Sequence, residues 1–326
     1  MKICFIDNTL FKYNSSDIYS KNLRGAETVL INLSNSLNDL NHKVTIINNC
    51  PKSEILNGIR WINIDEASNI ENYDLVISNG DCRLFKYANS KNKILFSHSI
   101  QTIEKFLRKK QLYSFIKYKP KICFISKYHK LNRSKLLYFF GSINLKWSVD
   151  KIFQSAPVTE NIDNNLAIFT SREGRNQNLL IDIWKNYIYP KNNNLKLLIN
   201  SQNKENQKYN IFNRVQQNQN QLIKEMSKSR LFLVPGHRAE LFCLAAAEAS
   251  QMCIPIVTLG YGCLSERVID GKTGYIAKDE KEFADLTLKL FKDNNLWLTM
   301  RNYLIKHRSE SNWQKVASDL IKQIYD

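Results

Sequence analysis

Short apolar segments alternate with segments of helical periodicity along this chain, and the pattern occurs twice. The first half contains five apolar segments, at 2–6, 43–47, 74–78, 93–96 and 121–125. The second half contains four, at 166–170, 195–199, 231–234 and 254–258. Helical periodicity lies between these four, at 177–187, 221–229 and 241–251. This alternation predicts parallel sheets with helices on both faces, whose ligands bind beyond the carboxyl ends of the strands.

The length of the chain predicts two domains. A chain of 326 residues exceeds what one hydrophobic core usually serves. We assign residues 1–153 to an N-terminal domain and residues 166–308 to a C-terminal domain. Residues 154–165 carry Pro157 and polar residues without periodicity, which is typical of a linker. Residues 309–326 are expected to form a final helix, because their apolar residues recur with helical period.

The chain is strongly basic, with a net charge of +17 and a pI near 9.5. Part of this charge belongs to a solvated surface, and the rest favours anionic lipid or an acidic substrate. We expect no nucleic-acid partner, because no zinc-finger, RNP or KH pattern occurs. The seven cysteines show no C-x-x-C spacing, which argues against structural zinc and disulfides. With no export signal and no apolar stretch of ~20 residues, we expect a cytoplasmic protein.

The segment Pro235–Glu248 combines the end of a strand, a turn and the start of a helix. Pro235-Gly236 forms the turn, and the helix is expected to begin at Leu241. Helix N-termini bind anions through unpaired backbone amides, here those of Leu241, Phe242, Cys243 and Leu244. Glu240 and Glu248 are eight residues apart, which is about 12 Å along a helix axis.

Residues 240–274 resemble the C-terminal signature of the retaining group-one glycosyltransferases, which have the GT-B fold. The elements of that signature occur here in order: a Glu with a following aromatic residue, EA, PIV, a glycine-containing loop and E-x-V-x-D-G-x-T-G. The resemblance implies two Rossmann-like domains facing each other across a cleft. It also implies that the last helix packs on the N-terminal domain and that the donor is a nucleotide sugar.

The resemblance also implies roles for individual residues. Glu240 would position the donor sugar and Glu248 the ribose, while Arg172 and Arg175 of the motif 170–175 would stabilise the departing diphosphate. Three further residues occupy positions that the resemblance assigns to ligand contacts. Gly25 of the R-G-A-E motif would approach a phosphate. His98 would contact the donor sugar or the acceptor hydroxyl, and His237 a phosphate or a sugar. The sequence contains no D-x-D pair, so we expect no metal and no other cofactor.

Residues 103–119 form a basic amphipathic segment. Six lysines and arginines alternate with apolar and aromatic residues there. Such a segment either rests on an anionic membrane or packs its apolar face on its own sheet. The first alternative would place the protein at the inner face of the membrane, next to a lipid-linked acceptor.

The combined hypothesis is a metal-independent, retaining hexosyltransferase. It would transfer sugar from a UDP- or GDP-linked donor to a glycan or lipid-linked acceptor, in polysaccharide or glycolipid synthesis. Two alternatives stay open. A glycoside hydrolase would also use two carboxylates, but it needs no phosphate-binding loop. A non-catalytic basic protein would bind anionic lipid or nucleic acid through charge alone.

Overall fold

The chain divides into two units. Unit 1 comprises Met1–Ser148 and Asn312–Asp326, and unit 2 comprises Val149–Ser311. The structure is a computed structural model that describes residues 1–21, 23–67, 70–201, 203–214, 218–308 and 312–325.

Unit 1 is built on an eight-stranded sheet. In chain order, the strands of the unit are β1 (Lys2–Ile6), β2 (Lys43–Asn48), β3 (Glu54–Leu56), β4 (Ile59–Asn63), β5 (Glu71–Asn72), β6 (Leu75–Asn79), β7 (Ala88–Asn89), β8 (Asn92–Phe96), β9 (Lys121–Phe124) and β10 (Ser142–Asn144). The large sheet has the order β10-β9-β8-β6-β1-β2-β4-β3, whereas β5 and β7 pair separately. Its neighbouring strands are parallel except for the hairpin β3–β4.

The centre of this sheet determines where unit 1 can bind a ligand. Strands β1 and β2 are buried at every position but the first, because helices or loops cover both faces. From β1 the chain order runs one way through β2 and the other way through β6. The strand order therefore reverses between β1 and β6, and ligands of such sheets bind beyond the carboxyl ends of the strands at this point.

Before the second unit, the part of unit 1 that the structure describes contains four helices: α1 (Gly25–Asp39), α2 (Ile103–Arg108), α3 (Leu112–Tyr118) and α4 (Lys127–Leu131). Short 3₁₀ turns lie at Ser15–Asp17, Ile64–Glu66, Cys82–Lys86 and Lys135–Tyr138. The basic segment 103–119 thus forms two short helices rather than one. Lys110, between them, has φ of +53°, a left-handed conformation that ends a helix.

Unit 2 is built on a six-stranded, entirely parallel sheet. Its strands are β11 (Asp163–Ile168), β12 (Lys196–Ile199), β13 (Ile211–Asn213), β14 (Ser229–Leu233), β15 (Ile256–Thr258) and β16 (Gly274–Ile276). The order is β13-β12-β11-β14-β15-β16, the dinucleotide-binding arrangement of Rossmann folds. Here the order reverses between β11 and β14.

The described residues of unit 2 form seven helices: α5 (Lys151–Ser155), α6 (Gln177–Ile183), α7 (Gln219–Ser227), α8 (Leu244–Gln251), α9 (Leu264–Arg267), α10 (Glu280–Lys292) and α11 (Asn294–Lys306). A π-helical turn, Trp184–Ile188, extends α6, and a 3₁₀ segment covers Lys204–Tyr209. The last helix, α12 (Trp313–Tyr325), belongs to unit 1, where it packs on α1. None of the described helices is both long and apolar enough to cross a membrane.

The structure differs from the sequence-based prediction in several respects. The boundary between the units follows Ser148, so the predicted linker 154–165 lies inside unit 2. Strand β13 lies at Ile211–Asn213, where the sequence pattern predicted no strand. Helix α8 begins at Leu244 instead of Leu241, because Cys243 adopts a left-handed conformation with φ of +55°.

Candidate active site

Two loops of unit 2 meet at the point where its strand order reverses. The basic loop (residues 169–176) follows β11, and the acidic turn (residues 234–240) follows β14. Because β11 and β14 are neighbours, these loops leave the same edge of the sheet side by side. The Nδ2 group of Asn176 donates to the Gly236 carbonyl oxygen at 2.6 Å and joins the two loops directly.

An ion pair connects the basic loop to the acidic turn. Arg175 Nε lies 3.3 Å from Glu240 Oε1, and both side chains are largely shielded from solvent. Burial raises the pKa of the Glu240 carboxyl, whereas the guanidinium groups of Arg175 and Arg172 act in the opposite direction. Arg172 is exposed and forms no ion pair with any residue that the structure describes. Because Glu173 offsets one of its two arginines, the loop has a net charge of +1, and Arg172 is its guanidinium without an ion-pair partner among the described residues.

His237 has a defined tautomer within this cluster. Its Nδ1 accepts from the Ala239 backbone N–H at 3.0 Å and lies 3.4 Å from Arg175 Nη1. Both partners can only donate, so Nδ1 carries no proton and the neutral ring is protonated at Nε2. We assign this tautomer from the hydrogen-bond network. The Nε2–H group is then the donor that His237 offers to an oxygen of a ligand.

The backbone at Glu240 is held by the glycine loop 260–262. The Cys263 N–H donates to the Glu240 carbonyl oxygen at 3.0 Å. Gly262 has φ of +69°, and a Cβ atom there would lie 2.5 Å from the His237 carbonyl oxygen and 2.7 Å from that of Glu240. Only glycine lets these two segments approach so closely. The glycine loop thus supports the acidic turn from behind.

The segment that we predicted to bind a pyrophosphate precedes and opens α8. Leu241, Phe242 and Cys243 are buried and not helical. The Arg267 guanidinium donates to the Phe242 carbonyl oxygen at 2.8 Å and stacks on its ring at 3.7 Å. Burial raises the pKa of the Cys243 thiol far above its usual range, so this thiol is neutral and unreactive. Leu244 begins the helix and presents first-turn amides without intrahelical partners.

Glu248, which we expect to bind the ribose, is buried, and its burial determines whether the carboxyl carries a charge. It lies on α8 and is 8% exposed. Burial raises the pKa of its carboxyl to about 8, Asp150 adds to the effect, and Arg214 opposes it. The carboxyl is therefore mostly protonated at pH 7. In that state it can both donate and accept a hydrogen bond, as a ribose diol requires.

In unit 1, a chain of hydrogen bonds links three neighbouring strand ends. Asp7 follows β1, Asn79 ends β6 and His98 follows β8. Asn79 Nδ2 donates to Asp7 Oδ1 at 3.0 Å, and Asn79 Oδ1 bonds to His98 Nε2. On its other side, Asp7 accepts from the Tyr13 hydroxyl at 2.8 Å. The chain lies where the strand order of unit 1 reverses.

This chain of hydrogen bonds determines the state of His98. A carboxylate only accepts, so the Asn79 amide must turn its NH₂ group to Asp7 and its oxygen to His98. His98 Nε2 therefore carries the proton, and Nδ1 is the acceptor. Burial lowers the pKa of His98 to about 4, so the ring is neutral at pH 7. The Trp147 ring packs beside it, with centroids 5.4 Å apart.

Gly25 is the first residue of α1, at an N-terminus that the Arg24 side chain does not cap. Glu27, two residues on, is 1% exposed, and its Oε2 forms no hydrogen bond with a described residue. Burial raises the pKa of the Glu27 carboxyl. Among the residues described here, no group of three or more His, Cys, Asp or Glu side chains is placed to hold a metal ion.

Comparison with known proteins identifies the family. The family model of the "Glycosyl transferases group 1" matches residues 125–308, which is more than half of the chain. The chain belongs to the group 1 glycosyl transferases. It is also 29% identical over 85 residues to D-inositol 3-phosphate glycosyltransferase of Corynebacterium urealyticum. That match covers 26% of this chain and 20% of the relative, so it spans about a fifth of the curated protein.

Solved structures of similar fold cover nearly the whole of this group 1 glycosyl transferase. WaaG, a glycosyltransferase involved in lipopolysaccharide biosynthesis, has a TM-score of 0.67 at 10% identity, over 99% of both chains. Sucrose-phosphate synthase of Thermosynechococcus elongatus has a TM-score of 0.69 at 14% identity, again over 99% of both. Anabaena HepE, solved with UDP and glucose, has a TM-score of 0.69 at 14% identity, over 100% of this chain and 99% of its own. The predicted GT-B fold class is confirmed.

Within this group 1 glycosyl transferase, the structure brings four of the predicted residues together. Arg172, Arg175, His237 and Glu240 lie on the two loops that meet at β11 and β14. Leu241, Phe242, Cys243, Leu244 and Glu248 continue from that cluster into α8, whereas Gly25 and His98 belong to unit 1.

Several residues of these sites were missed in the sequence. Asp7 and Asn79 set the state of His98, and Asn176 joins the two loops. Asp7 and Asn79 did carry a signal: each is a polar residue at the carboxyl end of an apolar strand. Their partnership carried none, because they are 72 residues apart.

Proposed function

We propose that this group 1 glycosyl transferase moves a sugar from a UDP- or GDP-linked donor to a hydroxyl group of a glycan or lipid-linked acceptor, with retention of anomeric configuration. The observation that carries the proposal is the cluster of Arg175, His237 and Glu240 on two loops at the strand reversal of unit 2. Retention is supported by the resemblance to the retaining members of the family.

The donor diphosphate would bind to the basic loop. A nucleoside diphosphate gains negative charge as the glycosidic bond breaks, and fixed cations stabilise that charge. Arg175 uses Nε and Nη1 in contacts with Glu240 and His237, and its Nη2 has no hydrogen bond to another described residue. Arg172 adds a second guanidinium, and the first-turn amides of α8 add partial positive charge. These groups would replace a divalent metal, so we propose that the reaction is metal-independent.

The remaining polar groups suit the sugar and the ribose. Glu240, held by Arg175 and by its own backbone contacts, would accept hydrogen bonds from sugar hydroxyls. His237 Nε2–H would donate to an adjacent oxygen. Glu248, protonated at pH 7, would exchange hydrogen bonds with the ribose diol. Among the solved structures of similar fold, HepE was determined with UDP and glucose, which makes UDP the first nucleotide to test.

Unit 1 would receive the acceptor. Neutral His98 would accept a hydrogen bond from the acceptor hydroxyl at Nδ1, with its ring held by Asn79. A ring whose pKa is about 4 is a weak base, so we propose that a donor phosphate oxygen takes the proton. In that scheme His98 orients the hydroxyl, and the departing diphosphate, whose basicity increases as the bond breaks, removes its proton.

Segment 103–119 supports an acceptor at a membrane surface. Leu107, Tyr113 and Ile116 are 57%, 75% and 55% exposed, and they alternate with lysines and arginines. Phe106 and Phe115 instead pack in the core of unit 1. Three of the eight apolar and aromatic side chains of the segment are therefore exposed, and an anionic membrane would cover them. We propose a peripheral position at the cytoplasmic face of a membrane and a role in polysaccharide or glycolipid synthesis.

Thermal unfolding with a series of nucleoside diphosphates and nucleotide sugars tests this function. A ligand at one hundred times its Kd stabilises the protein by about 2.7 kcal/mol, which raises Tm by several degrees. We expect this shift with UDP or GDP, in the presence of EDTA as well. Salt-sensitive binding to anionic vesicles or nucleic acid, with no shift for any nucleotide, would instead favour the non-catalytic basic protein.

A further inference from the structure

A narrow pocket in unit 1 lies beside the loop that carries His98. We name it the Lys105 pocket; its lining includes Gly80, Ser97, Ser99, Gln101, Lys105 and Lys109. Its empty volume, including open solvent at the mouth, is about 260 Å³, and the enclosed space is enough for about one water molecule. We propose that the Lys105 pocket binds a phosphate group of the acceptor. The proposal rests on the proposed function, because it assigns the pocket to the acceptor.

The first observation is positive charge without a counter-ion. Lys105 is half-buried, and its Nζ lies 3.5 Å from the Ile100 carbonyl oxygen. Neither Lys105 nor Lys109 forms an ion pair with a carboxylate in the part of the chain that the structure describes. Burial, together with Lys109 and Arg108, lowers the pKa of Lys105 to about 8. A bound anion would remove this repulsion.

The second observation is a buried donor without an acceptor. Gln101 is 1% exposed, and its Oε1 accepts from His129 Nε2 at 2.7 Å. His129 Nδ1 faces the Ile125 backbone N–H, so the proton lies on Nε2 and the Gln101 oxygen must point to it. The Gln101 NH₂ group is thereby fixed on the other side, and it has no hydrogen-bond partner among the described residues. A buried donor of this kind is uncommon and calls for an acceptor.

The size and charge of the pocket specify the group that would enter. Two ammonium groups and one amide donor suit a doubly charged tetrahedral oxyanion better than a single carboxylate. Because the enclosed space holds about one water molecule, the phosphate would lie in the mouth of the pocket, with one of its oxygens reaching inward. Ser97 and Ser99, which line the pocket, are the chain neighbours of His98. A phosphate held there would bring the rest of the acceptor close to the histidine.

The test follows the Gln101 side-chain amide by NMR in the ¹⁵N-labelled full chain, titrated with inorganic phosphate and with chloride as the control anion. This signal, identified by its loss in Gln101→Glu, reports on the pocket and not on the nucleotide site. We expect a saturable shift with phosphate, at least about tenfold weaker binding in Lys105→Gln, and recovery in Lys105→Arg. The matched control Lys117→Gln removes an exposed charge from the same segment and should leave binding unchanged.

Two results would overturn the inference: a Gln101 signal that does not move with phosphate, or one that moves at the same concentration in Lys105→Gln. UDP is titrated separately. If UDP binds but phosphate does not shift the Gln101 signal, the phosphate site in the Lys105 pocket is wrong and the proposed function still holds. Vesicles of phosphatidylcholine with and without phosphatidate distinguish the sources of the phosphate. Weaker binding of Lys105→Gln than of Lys117→Gln to phosphatidate vesicles indicates a lipid headgroup; equal binding indicates a soluble phosphate ester.

Discussion

Replacing Glu248 with glutamine should stabilise unit 2 at high pH and have little effect at low pH. Burial raises the pKa of this carboxyl from 4.5 to about 8, so folding favours its protonated form. Its contribution to stability is complete below pH 4.5 and is lost as the pH rises to 8. One pKa unit corresponds to about 1.4 kcal/mol. Compared with a side chain that stays neutral, Glu248 therefore lowers the free energy of unfolding by about 1 kcal/mol at pH 5 and by about 4 kcal/mol at pH 8.

The free energy of unfolding of both proteins would be measured by urea denaturation between pH 5 and pH 9. Hydrogen exchange of peptides from α8 would restrict the readout to unit 2. The exposed Glu160, replaced by glutamine, is the control for the loss of a carboxylate in the same unit. We expect the advantage of Glu248→Gln to grow by about 3 kcal/mol from pH 5 to pH 8. An advantage that does not change with pH would show that Glu248 is ionised throughout and that our reasoning from burial is wrong.

Two further substitutions test the supports of the site. Gly262→Ala should lower the free energy of unfolding by at least about 2 kcal/mol and weaken nucleotide binding. The control Gly271→Ala has the same sign of φ, but a Cβ atom there would meet nothing within 4 Å, so it should cost only the backbone strain. Equal losses of Tm in the two variants would contradict the predicted clash. Asn79→Asp should raise the pKa of His98 in an NMR titration by about one unit or more, because a carboxylate then faces Nε2. Tyr13→Phe, which leaves Asn79 in place, should not change it; a common shift in both would refute the assigned tautomer.

The fold class was predictable from the sequence because buried parallel strands are continuous apolar runs. Strand β1 was predicted at its exact bounds, and β14 within two residues at its start. The hairpin β3–β4 was missed, although Asn57-Gly58 at its turn is a strong signal, with φ of +51° and +80°. Strand β3 is a three-residue edge strand and β4 lies between it and β2. Neither strand is a continuous apolar run, so the turn residues identify the hairpin better than the apolar pattern does.

The start of α8 shows where local patterns stop being sufficient. The apolar periodicity of α8 continues back to Leu241 in the sequence, and helix propensity gives no reason to stop at Leu244. The helix begins later because tertiary contacts hold the preceding residues in another conformation. Cys263 binds the Glu240 carbonyl, and Arg267 binds that of Phe242. Such contacts come from a different loop and cannot be inferred from periodicity.

The residue types of the site were predictable, but most of their pairings were not. The basic loop and Glu240 were both identified from motifs, yet the ion pair between Arg175 and Glu240 joins residues that lie 65 positions apart in the chain. The protonation of Glu248 depends on burial and on Asp150, which lies nearly one hundred residues earlier. Distances and burial of this kind follow from the packed sheet, whereas a motif only records which residues are present.

The central claim, that Arg175 binds the donor diphosphate while Glu240 recognises the sugar, is tested most directly by calorimetric titration with UDP, GDP and their nucleotide sugars. Arg175→Gln should weaken binding of the diphosphate by at least about tenfold. Glu240→Gln should keep UDP or GDP binding, because it removes only a negative charge, and should lose the preference for the nucleotide sugar. Unchanged affinity in Arg175→Gln, or equal loss of both ligands in Glu240→Gln, would contradict the account.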